Sequence, residues 1–345
     1  MAVTYAALAL LRSRNTLLAY GLVSLSQSIV AEIFSVLLIV FVRRNATEFI
    51  LGEMIGQVVA AAVALWFTRP LPLRRQDVRM LGSALRYSGA LVPAALAGFL
   101  LTASDRLVIH HVLGLHQVAR YGAVYNLAAI PVLLLGILDT VWLPRFFQVS
   151  DQTVVGRLLA DSRDALYRLL LPVVLALSLI IPIVLSVWLS PAYDPGGLSL
   201  VVVTISASAF PMAGYLAANR VLLISGRTIP VGLCMVISAA FNIAANLVLV
   251  PAIGIEGSAV ATLLAFVLLQ GLTTFFAHRI QPLRHPPLGL VALCAADAGL
   301  AAAFTQVPSG GAFAAARVLL ALVCLIVFAA MLQGLASDGS GPPRS

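Results

Sequence analysis

Residues 87–126 read YSGALVPAALAGFLLTASDRLVIHHVLGLHQVARYGAVYN. Up to Leu113 the run is apolar and longer than the roughly 20 residues a helix needs to cross a bilayer core of about 30 Å. Asp105 and Arg106 lie inside it. A charge at the centre of a membrane helix costs at least about 2.5–3.5 kcal/mol on insertion scales, and it persists where it faces a partner, a wet cavity or a cargo. The pair is therefore the first sign that the chain handles something polar within an apolar sheath.

The rest of the chain extends this pattern. Of 345 residues, 61% are hydrophobic and 10% charged, and mean hydropathy is +1.04. Soluble domains carry about 25% charged residues, so the fold class is all-α integral membrane. The apolar runs are too long and continuous for barrel strands, which alternate over about 10 residues. All 21 basic residues are Arg. A Walker A loop needs a Lys beside its glycines, so ATP hydrolysis by that route is excluded. The arginines are spread through short loops, so the net charge of +8 does not point to nucleic acid. Cys234, Cys294 and Cys324 lie in apolar runs and read as small buried residues. His110 and His111 are adjacent and point apart on a helix, which argues against metal binding with His116. No cofactor is expected, and no cleavable signal peptide, because the apolar run 3–11 is short and the next follows closely.

Ten spans are expected, at 16–42, 48–68, 87–112, 118–142, 169–190, 198–223, 229–250, 255–277, 288–305 and 313–333. With this topology 16 arginines fall on one side. Five fall on the other: Arg43, Arg44, Arg106, Arg120 and Arg317. The positive-inside rule then puts both termini in the cytoplasm. Arg106 and Arg120 lie in or beside a span on the Arg-poor side, so anchoring does not account for them. Two Arg-rich connections, 72–87 and 151–168, have apolar residues at helical spacing and read as amphipathic helices lying in the headgroup layer.

Spans 16–68 and 229–277 read as copies of one hairpin. An offset of 210 carries the aliphatic run 36–40 onto 246–250, and Arg69 at the end of the first hairpin onto Arg279 at the end of the second. Transporters are commonly built from such repeats around a central site. On this reading residues 1–70 are the remnant of an N-terminal lobe with about four spans missing upstream. Residues 71–86 are a connection, 87–280 a complete six-helix lobe, and 281–345 two further spans with a tail.

Several motifs resemble polysaccharide-biosynthesis flippases of the Wzx type. They are Arg86-Tyr87 before a span, Pro93, Ser104-Asp105-Arg106, Leu113-Gly114, and Tyr121 through Asn126. Further ones are Ser225-Gly226-Arg227, Asn242 with Asn246, and Gly254-Ile255-Glu256-Gly257. The resemblance covers about residues 16–333 and is most specific between 86 and 257. It implies the multidrug/oligosaccharidyl-lipid/polysaccharide exporter fold, with two helical lobes around a cavity and alternating access. It implies a bacterial inner-membrane protein that is not an enzyme. The cargo would be an anionic lipid-linked (undecaprenyl-pyrophosphate) oligosaccharide, with membrane lipids and the glycan polymerase machinery as partners.

Within that picture Asp105 and Arg106 are expected to line the cavity, where a guanidinium fork suits phosphate oxygens; the alternative is a structural ion pair between helices. Arg120, Tyr121, Tyr125 and Asn126 are expected beside them, or else as an interfacial aromatic anchor. Arg220 near its span's cytoplasmic end reads as an inner gate or a snorkelling side chain. Asn242 and Asn246, one turn apart, read as interhelical hydrogen-bonding groups. Glu32, Asp139 and Asp297 are intramembrane acids and candidates for a coupling ion. A drug–cation antiporter would favour acidic cavity residues instead. A glycosyltransferase or polymerase would need a longer catalytic loop than 190–197 or 306–311.

Overall fold

A computed structural model describes residues 2–14, 16–69, 77–146, 152–307 and 310–338. Among them every regular element is helical. In order they are α1 (Ala2–Ser13), α2 (Leu17–Leu25), a π turn (Ser26–Val30), α3 (Ala31–Phe41), α4 (Ala46–Thr68), α5 (Asp77–Leu113), α6 (Leu115–Ala128) and α7 (Ile130–Phe146). Then come α8 (Gln152–Trp188), two short 3₁₀ turns (Pro191–Tyr193 and Pro195–Leu198), α9 (Ser199–Ala207), α10 (Ala209–Ile224), α11 (Thr228–Ile253), α12 (Ile255–His278), α13 (Leu288–Phe304) and α14 (Ala312–Asp338). Eight helical segments among the described residues are long and apolar enough to cross a membrane, and the bent pair α6–α7 makes a ninth. The tenth expected span is α13, whose 17 residues reach only about 25 Å at 1.5 Å per residue.

The expected span 118–142 is broken. Pro131 has no amide hydrogen to continue the helical ladder, and α6 and α7 meet at 41°. The carbonyl of Ala128, at the break, accepts a hydrogen bond from Ser206 Oγ at 3.0 Å. The connection 151–168 does not lie apart from its span. It is the first half of α8, one 37-residue helix about 55 Å long. Its apolar face is covered by protein: Val155 and Leu159 pack with Ala218, Val221, Val231, Ala277 and Leu283. Arg163 donates to Asp164 and to the carbonyl of Arg284, and Arg284 donates to Asp161 and Asp164. These bonds fasten the start of α8 to the 279–287 connection. The other connection, 72–87, falls partly outside the described residues, and from Asp77 on it is the start of α5.

Contacts divide the chain into two units, Met1–Gly82 and Ser83–Ser345. In the first, α3 and α4 form a hairpin. Gly52, Gly56, Ala60, Ala64 and Thr68 recur every fourth residue on α4, and all are buried. Backbones approach so closely there that a Cβ on Gly56 would stand 2.2 Å from Ala31 Cα, and one on Gly52 2.3 Å from Ser35 Cα. Such small-residue faces let membrane helices gain contact without a hydrophobic drive between them.

The second unit is built around α9 and α10. Of the apolar 18-residue stretch within Pro195–Ile224, 78% is buried, against 11% of that within Phe313–Gly334, so the former is the hub and α14 lies at the rim. α13 and α14 pack on α8 and belong to this same unit. α11 and α12 form a second tight hairpin. It turns at Gly254, whose φ of 72° suits glycine. In both hairpins the Arg after the second helix lies over an aromatic ring of that helix's last turn: Arg69 over Trp66 at 6.0 Å, Arg279 over Phe275 at 4.3 Å.

Candidate functional site

Asp105 and Arg106 stand on α5 inside the span Val92–Leu113. They do not form an ion pair with each other. Asp105 is 1% exposed and accepts a 2.6 Å hydrogen bond from the hydroxyl of Tyr121 on α6. Its other oxygen accepts from the backbone N–H of Arg106 at 2.8 Å. The carboxylate is thus occupied within the α5–α6 seam. The Arg106 side chain leaves in another direction, with its guanidinium carbon 4.5 Å from the centre of the Tyr125 ring. Beyond that face, among the described residues, its guanidinium makes one long bond, to the carbonyl of Thr102 at 3.5 Å. Arg106 and Tyr125 are half-buried, and Asn126 next to them is exposed.

The residues read as one cluster therefore separate by role. Tyr121 is fully buried, and its ring lies 5.7 Å from that of Tyr125. Asp105 and Tyr121 are turned inward and act as the support; Arg106, Tyr125 and Asn126 are the accessible part. Arg120 is not part of it. It donates to the carbonyls of Tyr193 and Asp194 at 2.8 and 3.2 Å, to Gln117 at 3.1 Å and to the Asp194 carboxylate at 3.0 Å. It staples α6 to the 3₁₀ turns before α9, where His116 also stacks on Tyr193. The backbone of Asp194 is left-handed, with φ 45°, and Arg120 satisfies the carbonyls exposed at that turn.

Behind the Asp105 seam, Ser104 donates to Asn242 Oδ1 at 3.3 Å, tying α5 to α11. Asn246 donates to the same oxygen and to the Asn242 carbonyl. The two asparagines thus share one face, and among the described residues it is Asn242 whose side chain is bonded to another helix.

At the Arg-rich end, two residues considered separately in the sequence come together. Arg220 on α10 is 2% exposed and pairs with Asp139 on α7. It also reaches Ser162 on α8 at 3.4 Å. Arg220 is therefore not snorkelling. It is the junction of three helices, and Asp139 is its counter-charge.

Asp297 on α13 is buried, and its Oδ2 has no hydrogen-bond partner among the described residues. Glu32 belongs to the first unit, where it is exposed in the first turn of α3 just beyond the π turn. The sequence reading passed over Glu53. It is half-buried on α4 and, with Ile50, Met54, Gln57 and Val58, lines an open groove of about 420 Å³. An acid with a Gln one turn later, inside an expected span, was the available signal.

Residues 7–197 match the model of a polysaccharide biosynthesis protein family. No curated protein matches the chain.

Proposed function

The chain belongs to the polysaccharide biosynthesis protein family, and from that premise we propose that it is a flippase for a lipid-linked oligosaccharide. The cargo is an undecaprenyl-pyrophosphate glycan or polysaccharide precursor. It passes from the cytoplasmic to the outer leaflet of a bacterial inner membrane by alternating access. The protein changes no covalent bond and needs no cofactor. The glycan polymerase machinery consumes the cargo outside.

The observation that carries this reading is the separation of Asp105 from Arg106. An arginine neutralised by its neighbour would offer little to an anion. Here Asp105 is committed to Tyr121 and to a backbone amide. The Arg106 guanidinium lies on an aromatic face and spends one long bond on the Thr102 carbonyl, which leaves further N–H groups to fork onto phosphate oxygens. Tyr125 adds a ring on which a sugar can rest, and the exposed Asn126 adds an amide. The ion pair of Arg220 with Asp139 serves as the fastening of the closed cytoplasmic end, and Asp297 or Glu32 is left to carry a coupling ion.

Export of glycan in cells that depend on this protein tests the reading. Arg106→Glu should abolish export and Arg106→Lys should retain part of it, at equal protein level in the membrane. Wild-type export with Arg106→Glu sinks the proposal. A gain or loss of resistance to cationic drugs, with glycan export unchanged, would favour an antiporter.

A further inference from the structure

The geometry points to a second binding site at the Arg-rich end of α12: a groove that holds the phosphate headgroup of an anionic phospholipid. The groove has a volume of about 400 Å³ and is lined by Gly271, Thr274, Phe275, His278, Arg279 and His285. It is graded in polarity. Gly271 and Phe275 lie within the apolar span Ile255–His278, while Arg279 and His285 lie just beyond it. A Cβ on Gly271 would meet nothing within 4 Å, so the inner end is open to an acyl chain. The outer end carries an arginine and two imidazoles.

The neighbouring acids are already committed. Asp164 is bonded to Arg163 and Arg284, and Asp161 to Arg284. No carboxylate pairs with Arg279, His278 or His285 among the described residues. Arg279, the fixed charge of this lining, is therefore exposed without a protein counter-charge among the described residues, which suits an anion. The guanidinium of Arg279 lies over the Phe275 ring at 4.3 Å, holding its fork in place.

The loop that brings His285 into position is pinned. Leu283 is buried against Val155 and Leu159. Arg284 is bonded through both its side chain and its carbonyl to the start of α8. His285 is thereby held stacked on His278, with ring centres 5.5 Å apart. A head that is negative and a tail that is apolar, joined within a few ångströms, describe a membrane phospholipid rather than a soluble anion.

Full-length protein in a neutral detergent provides the test, with the melting midpoint followed during lipid titration. Phosphatidylglycerol should raise the midpoint with saturation; phosphatidylcholine and inorganic phosphate should not. Arg279→Gln should weaken the apparent affinity for phosphatidylglycerol about fivefold, the worth of one basic residue near an anionic surface. His285→Gln, at an exposed position, should weaken it independently. It keeps the test decisive if the first variant fails to fold. Equal effects of phosphatidylglycerol and phosphatidylcholine, or unchanged affinity in His285→Gln, overturn the proposal. So does a midpoint shift by inorganic phosphate alone, or by a polyprenyl phosphate with phosphatidylglycerol inert.

Discussion

The hydroxyl of Tyr121 donates to Asp105 Oδ2 at 2.6 Å, with both side chains almost wholly enclosed by the second unit. Removing the hydroxyl leaves a buried carboxylate oxygen without its partner, at a cost of about 1–3 kcal/mol or more for a charged group. Tyr121→Phe should therefore lower the melting midpoint measurably in detergent. Asp105→Asn should be milder, because its amide oxygen can keep the Arg106 N–H while its NH2 donates to the Tyr121 hydroxyl. Equal stability of Tyr121→Phe and wild type would show that this contact contributes nothing.

The platform under Arg106 can be tested apart from its charge. Tyr125→Leu keeps an apolar group beneath the guanidinium and removes the ring face. Cation–π contacts range from about 0.5 kcal/mol to about 2 kcal/mol when desolvated. Initial rates of glycan translocation in vesicles should then fall several-fold without complete loss, and Tyr125→Phe should stay near wild type. Loss in both variants alike would locate the effect in the hydroxyl instead.

Arg220 and Asp139 call for a double-mutant cycle. Breaking a buried ion pair from one side costs about 3–5 kcal/mol, because the other charge remains uncompensated. Arg220 is the deeper partner at 2% side-chain exposure, against 23% for Asp139. Asp139→Asn removes the counter-charge of the more enclosed side chain and should be the more destabilising of the two neutral changes, the other being Arg220→Gln. The paired variant should recover part of the loss. Strict additivity in chemical or thermal melts would mean that the two side chains do not depend on each other.

Two glycines should respond differently to the same methyl group. A Cβ at Gly214 would stand 2.2 Å from Gln270 Nε2 and 2.5 Å from Tyr167 Oη. These are side-chain atoms, joined to each other by a 2.9 Å hydrogen bond. Gly214→Ala should cost about 1–3 kcal/mol as an overpacked site, and Gln270→Ala should relieve much of it. At Gly56 the obstacle is the backbone of Ala31. Gly56→Ala should force α3 and α4 apart, and no second substitution of a side chain should restore the midpoint.

Much of the architecture was legible because hydropathy over a span-length window is a strong signal, and each of the ten expected ranges overlaps a described helix. What failed was continuity. Pro131 stands at the break of a run that composition treats as one, while 151–168 continues into the next span as one helix that runs on past Pro172 and Pro182. The site was legible in its residue types and not in its pairings. Arg220 and Asp139 are 81 positions apart, and Arg120 and Asp194 are 74 apart; helical periodicity on one sequence does not say which faces meet. Arg120 was grouped with Tyr121 by adjacency, yet consecutive residues on a helix point about 100° apart. Accordingly one enters the core and the other reaches the loop before α9. The small-residue face of α4 was visible at fixed spacing and needed only to be read as a packing surface.

α8 is clamped near both ends. Its start is held by the bonds of Arg163, Asp161 and Asp164 to Arg284. Further along, the Leu179 carbonyl accepts from Arg317 of α14 at 3.1 Å, three residues before Pro182. A rod held in two bearings does not swing; it serves as an axle. α10 is carried on it as well, through Arg220 bonded to Ser162 and through Ala218 and Val221 packed on Val155 and Leu159. α8 is then the common frame to which α10, α13 and α14 are all fastened, and a cross-link between α8 and α14 should leave turnover intact.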